Sequence, residues 1–575
     1  MSTFTIPNSQ GGIRQDNHGD TRGELFESYN IDLSTTTGKI LSSKKLEKVL
    51  DEVTHLDDGI PQAFEFYDRE VYMATDDGVF KCSIDDDITD SANWSEETGI
   101  SGSGIGFRTD MVTFGGLLLI SQDTNITSWD GSSDDTSWWT STVSGSALTG
   151  GIGVKSPHIM HVHRGGQETL FVTDKNLVRY YNATAGHSTV TLQTDLVATC
   201  VSSGVSAVWV GTNSDSISDA YVYEIYVGEQ LDGTPIARNA YKIDGRAVLS
   251  INVVDNVPYI ITDRGNIQVF NGAGFKTVAS FPFAFIKDNL EGVRIGSVSL
   301  PVYTPVHSKG MQRYGDSLYI NINTQLESDN DKTPNRTPSG VWEFNTATGS
   351  LNHRYALSDG TSDYGAYIAD LSGPIMIANT DETFLLVAGA QNNGTAGIYA
   401  ESSNTNQSYF VTPEIMSGTV QDSYESAYMK AKTLGAGESI KMKYRTTKRD
   451  KQYVDAVWEA ENILNFAINS NVQVGDEVTV LYGAGAGKIA HITAISESST
   501  RMSATIDSNI GTTGESVSVS VENWTLHPVT YDSDGGEYIK LGVGETSPWV
   551  QYKVVMLGDI EFRQFISKGN AKTEL

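Results

Sequence analysis

The chain has 575 residues, and its 71 acidic against 40 basic side chains give a formal net charge of -31 at pH 7. This balance excludes a grip on nucleic acid by bulk electrostatics, because neutralising phosphates takes Lys and Arg. The only two cysteines are Cys82 and Cys200, so no disulfide framework holds the fold.

The N-terminal segment, residues 1–60, is polar and lacks the strand repeats of the rest of the chain. Within it, Asn30-Ile31-Asp32-Leu33 predicts a short strand, and residues 43–51 show the one stretch of helical periodicity. Two interpretations stay open for this segment. It is either a disordered tail or an extended arm that orders against a neighbouring subunit.

We expect neither a secretory signal peptide nor a membrane span from this sequence. The first twenty residues contain no apolar core of a signal peptide. The longest apolar runs, such as residues 117–120, are far too short to span a bilayer. We therefore expect a protein that folds in a reducing cytoplasm and has no membrane span.

One pattern occurs seven times over residues 61–407: an alternating apolar strand, a turn, a second short strand and a third. The first two copies read AFEFYDREVYMATDDGVFKCSI and MVTFGGLLLISQDTNITSWDG. Copies about 40 to 60 residues apart, rich in β-branched and aromatic residues, are typical of antiparallel sheets arranged radially. The sequence therefore predicts an all-β fold built on a seven-bladed β-propeller, with six or eight blades as alternatives.

The strand pattern changes after the propeller. Residues 408–458 and 524–575 contain longer strands with hairpin turns, which predict a C-terminal β-sandwich. Between them, residues 459–523 contain a compact set of short strands. This segment predicts a small β-barrel-like module inserted into a loop of the sandwich.

A glycine-rich stretch invites a phosphate-binding interpretation. Gly483, Gly485, Gly487 and Lys488 resemble part of a phosphate loop, but Tyr482 occupies the position of its first glycine. Strands also follow where a helix is needed to bind phosphate. A structural turn is therefore favoured.

His158, His161 and His163 form the only histidine cluster. Zinc generally needs three or four converging ligands, and neither a cysteine nor a carboxylate in that strand completes the set. We therefore favour packing or solvent contact for these histidines over zinc binding.

Acidic groups in loops raise the question of calcium, at residues 85–87, 134–135, and 329 with 331. None of them matches the calcium-loop pattern with its distal glutamate. The sequence therefore predicts no metal site and no cofactor.

An enzymatic function is one alternative, because propellers also occur in glycosidases. Residues 133–138 are similar to the aspartate-box turn of sialidases, but the glycine is missing and the motif occurs once. No carboxylate pair stands out for glycoside hydrolysis, and the run at residues 99–106 breaks the nucleophile-elbow pattern. We predict that the chain is not an enzyme and has no catalytic residues.

Three tryptophans, Trp129, Trp138 and Trp139, offer an alternative to a purely structural role. In an adhesin or receptor-binding protein they would stack on sugars. Large aromatic side chains are mostly core residues, so packing between blades is the favoured interpretation.

The layout resembles that of β-propeller virion proteins of tailed bacteriophages. The resemblance rests on the N-terminal segment with Asn30-Ile31-Asp32, on the propeller phrases SLYINI and GVWEFN, and on the closing SPWVQYKVVML. The most similar architecture is the tail nozzle, or tail-hub, protein of short-tailed phages. No diagnostic motif matches, so the resemblance assigns no functional residues.

The resemblance implies a structural virion protein of the tail, assembled in the host cytoplasm. It would form a homo-oligomeric ring, and in the family that it resembles this ring is a hexamer. Adaptor and portal proteins would lie on one side of the ring, and fibres or spikes would be further partners. DNA would pass through the lumen without sequence-specific binding, and an acidic wall suits that passage because like charges repel. The alternatives are a propeller-based, glycan-binding adhesin and, less favoured, a glycoside-processing enzyme.

Overall fold

The structure is a computed structural model, and the residues that it describes fall into separate ranges. They are 2–5, 25, 27–33, 39–51, 61–75, 78–88, 90–100, 109–122, 124–149, 158–184, 186–214, 220–227, 236–282, 306–322, 340–355, 357–358, 372–379, 383–390, 396–405, 407–416, 423–482, 485, 488–531, 537–540 and 549–570.

The described residues of the N-terminal segment, which the sequence had left as a tail or an arm, include five strands. They are β1 (Ser2–Thr5), β2 (Glu27–Tyr29), β3 (Ile31–Asp32), β4 (Ile40–Ser42) and β5 (Lys44–Asp51). The short strand expected at Ile31 and Asp32 is thereby confirmed.

Blades one to six of the propeller are antiparallel four-stranded sheets with the strands in chain order. Blade one contains β6 (Ala63–Tyr67), β7 (Glu70–Ala74), β8 (Val79–Ser83) and β9 (Ser95–Glu96). Blade two contains β10 (Met111–Phe114), β11 (Leu117–Ser121), β12 (Ile126–Trp129) and β13 (Asp134–Asp135). Blade three contains β14 (Met160–His163), β15 (Thr169–Asp174), β16 (Leu177–Asn182) and β17 (Gly186–Thr191). Blade four contains β18 (Leu196–Ser203), β19 (Ala207–Ser214), β20 (Tyr221–Tyr226) and β21 (Ile236–Lys242). Blade five contains β22 (Val248–Val254), β23 (Val257–Thr262), β24 (Asn266–Phe270) and β25 (Phe275–Ser280). Blade six contains β26 (Met311–Tyr314), β27 (Ser317–Ile322), β28 (Gly340–Asn345) and β29 (Leu351–Tyr355).

Among the described residues, two short helices accompany the first two blades. A 3-10 helix covers Ser91–Asn93, and a π-helix covers Trp139–Ser144.

Blade seven combines strands from the end of the propeller region with one strand of the N-terminal segment. It contains β30 (Leu357–Ser358), β31 (Ser372–Asn379), β32 (Thr383–Ala390) and β33 (Ala396–Thr405). The N-terminal strand β5 pairs antiparallel with β33 and thus completes this blade. The helical periodicity noted at residues 43–51 therefore belongs to a strand and not to a helix. Leu46 is fully buried in a core with Val387 and Tyr399 of blade seven, and this tertiary contact overrides a weak local preference.

The seven blades close into a ring. The innermost strand of each blade contacts that of the next, in the order β6, β10, β14, β18, β22, β26, β31 and back to β6. Side chains between blades fill the core, as Trp209 does between blades four and five. The seven-bladed propeller is confirmed.

The C-terminal sandwich contains two six-stranded sheets that include the N-terminal strands. Its later strands are β34 (Ser408–Val411), β35 (Ile415–Met416), β36 (Ser423–Ala431), β37 (Ser439–Arg445), β44 (Thr525–Tyr531), β45 (Glu537–Lys540), β46 (Trp549–Leu557) and β47 (Glu561–Asn570). One sheet holds β1, β3, β4, β36, β45 and β47, and the other holds β2, β34, β35, β37, β44 and β46.

The core of the sandwich mixes side chains from both ends of the chain, including Ile31, Phe410, Met442 and Phe565. Ordering of the N-terminal segment against a neighbouring subunit stays a prediction, and the disordered tail is wrong for the segment's described residues. Their strands pair within the same chain, because the apolar faces of both sheets need them for cover.

A closed six-stranded barrel interrupts the sandwich. Its strands are β38 (Lys451–Ala460), β39 (Ile463–Ala467), β40 (Glu477–Tyr482), β41 (Ile489–Glu497), β42 (Arg501–Ile506) and β43 (Ser516–Glu522). They close in the order β38-β39-β42-β41-β40-β43 around a core that includes Trp458 and Val519. The inserted barrel is confirmed, and the boundary expected at residue 459 lies inside β38.

Within the described part of the chain, no helix has the length and apolar character that crossing a bilayer requires.

Candidate functional site

The first charged site lies inside the propeller, where side chains from distant blades meet. Lys309 precedes β26 of blade six and Asp110 precedes β10 of blade two, yet Lys309 Nζ lies 2.9 Å from Asp110 Oδ1. The Asp110 carboxylate also accepts the backbone N–H groups of Met111 at 2.8 Å and Met160 at 2.7 Å. Since blades two and six are not neighbours, the ion pair crosses the interior and obstructs the propeller axis at this level.

Lys309 also interacts electrostatically with two more titratable side chains. Burial raises the pKa of Glu65 in blade one, and the charge of Lys309 opposes that shift. Burial lowers the pKa of His161 in blade three to about 3, and Lys309 acts in the same direction. Four blades therefore contribute Glu65, Asp110, His161 and Lys309 to one group, which we call the axial cluster.

The second site joins the propeller to the sandwich. Three consecutive residues of the N-terminal segment, 30–32, contact three consecutive residues of β29 in blade six. The contacts are Asn30 N–H to His353 Nδ1 at 3.1 Å, Asn352 Nδ2 to Ile31 O at 2.9 Å, and Asp32 Oδ1 to Arg354 NH1 at 2.5 Å. The side chains of Asp32 and Arg354 are 7% and 10% exposed, so this ion pair is largely shielded from solvent.

Aromatic stacking supports the same junction. The rings of Tyr29 and His353 lie 4.6 Å apart at 8°, and Tyr29 stacks on Tyr409 of the sandwich at 5.4 Å. One tyrosine of β2 thereby lies between blade six and β34. The propeller and the sandwich meet through packed rings and ion pairs.

The third site joins the barrel to the sandwich. Glu477 of β40 is fully buried between Lys443 of β37 and Lys553 of β46. Its Oε1 lies 2.7 Å from Lys553 Nζ, and its Oε2 pairs with Lys443. Burial alone would raise the pKa of Glu477, but Lys553 and Lys443 outweigh it and hold that pKa well below its usual range.

Further charged and aromatic groups surround this third site. Lys553 Nζ lies 4.3 Å from the ring centre of Tyr409, and the Arg445 guanidinium lies 4.1 Å from that of Trp524. Arg445 NH1 also pairs with Asp450 at 2.6 Å. Cations held over rings and between carboxylates fix the orientation of the barrel.

A groove lies between blades two and three. It has a volume of about 380 Å³ and is lined by Phe114, Gly115, Leu117, Trp138, Thr142, Gln167, Glu168, Tyr181, Ala183 and Thr184. We call it the blade 2/3 groove. It combines aromatic rings with hydroxyl, amide and carboxyl groups.

The histidines singled out in the sequence do not form a metal site. His158 is buried, with Nδ1 2.9 Å from Thr173 O, and His161 Nε2 lies 2.7 Å from Ser203 Oγ. His163 is buried, and desolvation lowers its pKa. Throughout the described ranges no three His, Cys, Asp or Glu side chains converge to hold a metal ion.

The acidic loops are dispersed. Asp85 pairs with Arg69 at 2.6 Å on the surface, while Asp135 accepts from Ser137 in a local turn. Residues 329 and 331 lie outside the described residues, as do 101–106 of the broken nucleophile pattern.

The glycine-rich stretch forms a turn between β40 and β41 where the structure describes it. Gly485 has φ +85, and a Cβ there would lie 2.3 Å from Ile510 O, so this position requires glycine. Lys488 N–H donates to Gly485 O at 3.0 Å. Gly483 and Gly487 lie outside the described residues.

The tryptophans pack between blades, as favoured from the sequence. Trp129 is 3% exposed in the core between blades one and two. Trp138 and Trp139 are 6% and 0% exposed in the core between blades two and three. Of the three, Trp138 alone lines the blade 2/3 groove.

Sequence reasoning missed the charged residues at the junctions. A signal was present, because Lys443, Glu477 and Lys553 interrupt apolar strand patterns, and a charge in a buried strand needs a partner. Nothing in the sequence indicates which charges pair, since Lys443 and Lys553 are far apart along the chain.

No protein-family model and no curated protein matches the chain. Similar solved structures include the computationally designed protein Ika8, at 11% identity over 62% of this chain and 99% of that chain, with a TM-score of 0.33. Sqt1 of Saccharomyces cerevisiae matches at 12% identity over 62% of this chain and 99% of its own, with a TM-score of 0.37. Hsv2 of Kluyveromyces lactis matches at 9% identity over 63% and 95%, with a TM-score of 0.31. At such values these likenesses carry no conclusion on function.

Proposed function

We propose that this chain is a structural, non-catalytic protein of a tailed-bacteriophage particle. It forms an oligomeric ring, such as a hexamer, in the tail nozzle or tail tube. There it guides or retains DNA, contacts adaptor or portal proteins on one side, and offers docking surfaces for fibres.

The observation that carries the proposal is the pair of buried charged junctions. Asp32–Arg354 ties the sandwich to the propeller, and Lys443–Glu477–Lys553 ties the barrel to the sandwich. Breaking a buried ion pair costs about 3–5 kcal/mol, so movement of the modules relative to one another would cost free energy of that order. Such a subunit suits a tube that must keep its shape while DNA moves through it.

The charge balance supports the same role. A net charge of -31 repels DNA over distances comparable to the Debye length, which keeps a passing duplex from sticking. Because the Lys309–Asp110 ion pair crosses the interior of the propeller, the proposed DNA path runs outside the blades, in the lumen of the proposed ring.

Electron microscopy tests the proposal. Negative-stain images of the purified protein and of phage particles containing it are expected to show rings about the tail axis. A protein that stays monomeric at all concentrations and is absent from particles would contradict the proposal.

A DNA-binding measurement provides an independent check. We expect no detectable retention of duplex DNA by the purified protein at about 0.15 M salt, because few cations are available to displace counterions. Tight, salt-dependent binding would rule out an acidic conduit.

A further inference from the structure

The blade 2/3 groove has the composition of a small-molecule site, and this feature goes beyond a structural role in a tail. Its volume of about 380 Å³ falls within the roughly 300–1,000 Å³ of typical ligand pockets. Such pockets combine apolar and aromatic walls with a few polar groups that orient the ligand.

Three rings form the apolar side of the groove. The ring centre of Tyr181 lies 5.9 Å from that of Phe114 and 6.1 Å from that of Trp138, both in edge-to-face geometry. Each ring therefore restrains its neighbours, and the wall is rigid before any ligand arrives. Preorganisation of this kind lowers the entropy cost of binding.

The polar side of the groove comes from three elements, one of which is the turn between β16 and β17 with the exposed Thr184. The exposed Gln167 and the half-buried Glu168 lie in the turn between β14 and β15. The exposed Thr142 lies on the π-helix Trp139–Ser144, which begins directly after Trp138. π-Helical turns are rare in proteins and frequently occur at functional sites.

The local charge of the groove is balanced. Glu168 Oε1 accepts from Arg164 Nε at 3.2 Å, and Oε2 accepts the Gly115 N–H at 3.1 Å. The carboxylate is thus neutralised and fixed, while the field of a protein with charge -31 disfavours anionic ligands. The groove suits a ligand that is uncharged, rich in hydroxyl groups and apolar on its flat faces.

From these observations we infer that the blade 2/3 groove binds a neutral saccharide. The C–H face of a pyranose ring packs against the half-buried ring of Tyr181 and against the edges of Phe114 and Trp138, which are 7% and 6% exposed. Its hydroxyl groups exchange hydrogen bonds with Gln167 and Thr142.

Saturation-transfer NMR on the full-length protein tests the inference, with glucose, galactose, N-acetylglucosamine and the anionic N-acetylneuraminic acid as probes. At least one neutral sugar is expected to receive saturation. Ala183→Trp fills the groove from an exposed position and is expected to weaken that binding by at least about tenfold. Gln167→Ala removes one hydrogen-bonding group and is expected to weaken it by several-fold.

Ser188→Trp provides the matched control, because Ser188 is exposed on β17 of the same blade and does not line the groove. It is expected to bind as the unmodified protein does, and circular dichroism should show that both tryptophan variants are folded. The inference is overturned if no neutral sugar receives saturation, if only N-acetylneuraminic acid does, or if Ala183→Trp binds as well as Ser188→Trp. None of these results bears on ring formation, so the tail proposal is tested separately.

Discussion

Lys309 Nζ lies 2.9 Å from Asp110 Oδ1, although the two residues belong to blades that are not neighbours in the propeller. An ion pair across the interior ties blade six directly to blade two, in addition to the contacts that run around the ring. Burial raises the pKa of Asp110, and Lys309 is the foremost group that opposes this shift. The carboxylate therefore depends on the lysine to stay ionised.

The first prediction concerns Lys309→Met. Asp110 is 2% exposed, so the variant leaves a buried carboxylate without its counter-ion, while Lys309 itself is 27% exposed. We expect a loss of about 2–3 kcal/mol, below the roughly 3–5 kcal/mol of a fully buried pair. Denaturant unfolding of the purified protein measures this loss.

The double variant Lys309→Met/Asp110→Asn serves as the control. It removes the uncompensated charge and keeps one amide oxygen, which can accept only one of the two N–H groups that Met111 and Met160 donate to separate oxygens of Asp110. Part of the lost stability should therefore return. If the double variant is as unstable as the sum of the two single variants, the ion pair does not couple the blades.

The second prediction concerns Glu477→Gln at the junction of barrel and sandwich. Removing the charge leaves Lys443 and Lys553, which are 5% and 4% exposed, close together without a carboxylate between them. We expect a loss of about 3–5 kcal/mol. The matched control is Glu459→Gln, which breaks the exposed pair with Arg501 and should cost at most about 1 kcal/mol. Equal losses in the two variants would contradict the assigned role of the junction.

The third prediction is the pH dependence of that difference. The pKa of Glu477 is depressed in the folded protein, against about 4.3 in the unfolded chain. The stabilisation is thus fully present above about pH 4.3 and is lost as the pH falls through the depressed folded pKa. The gap in unfolding free energy between the unmodified protein and Glu477→Gln should stay constant from pH 7 to about 5 and shrink in more acidic buffers. A gap that widens on acidification would show that Glu477 is not held ionised by its neighbours.

The seven-bladed propeller, the sandwich and the inserted barrel could be predicted from the sequence, because strand alternation and turn residues are local signals. The position of β5 could not be predicted from the sequence. Its partner β33 lies more than three hundred residues away, and a helical period in a short stretch carries no information about such a partner. The same limit applies to the junctions. Asp32 was recognised as part of a short strand, but its pairing with Arg354 depends on how blade six is placed against the sandwich.

The fourth prediction concerns Arg354→Met. Arg354 NH1 pairs with Asp32, and its Nε lies 3.8 Å from Glu343 Oε2, with both carboxylates buried. Without the guanidinium both buried acids lose this cation, so the sandwich and the propeller should separate more easily. Calorimetry is expected to show two unfolding transitions in place of one cooperative transition. A single transition at unchanged temperature would argue against coupling through this contact.

The last prediction concerns the closure of blade seven by the N-terminal segment. Leu46 is fully buried with Tyr319, Val387 and Tyr399, so Leu46→Ala leaves a cavity and should cost about 2–5 kcal/mol. Lys44→Ala lies on the same strand but breaks only the exposed pair with Glu401, and should cost at most about 1 kcal/mol. Hydrogen exchange can localise the effect, because weaker docking of β5 exposes the amides of its partner strand β33. We expect faster exchange in β33 for Leu46→Ala and not for Lys44→Ala. Unchanged protection of β33 in Leu46→Ala would mean that the docking of β5 does not protect β33 and does not stabilise blade seven.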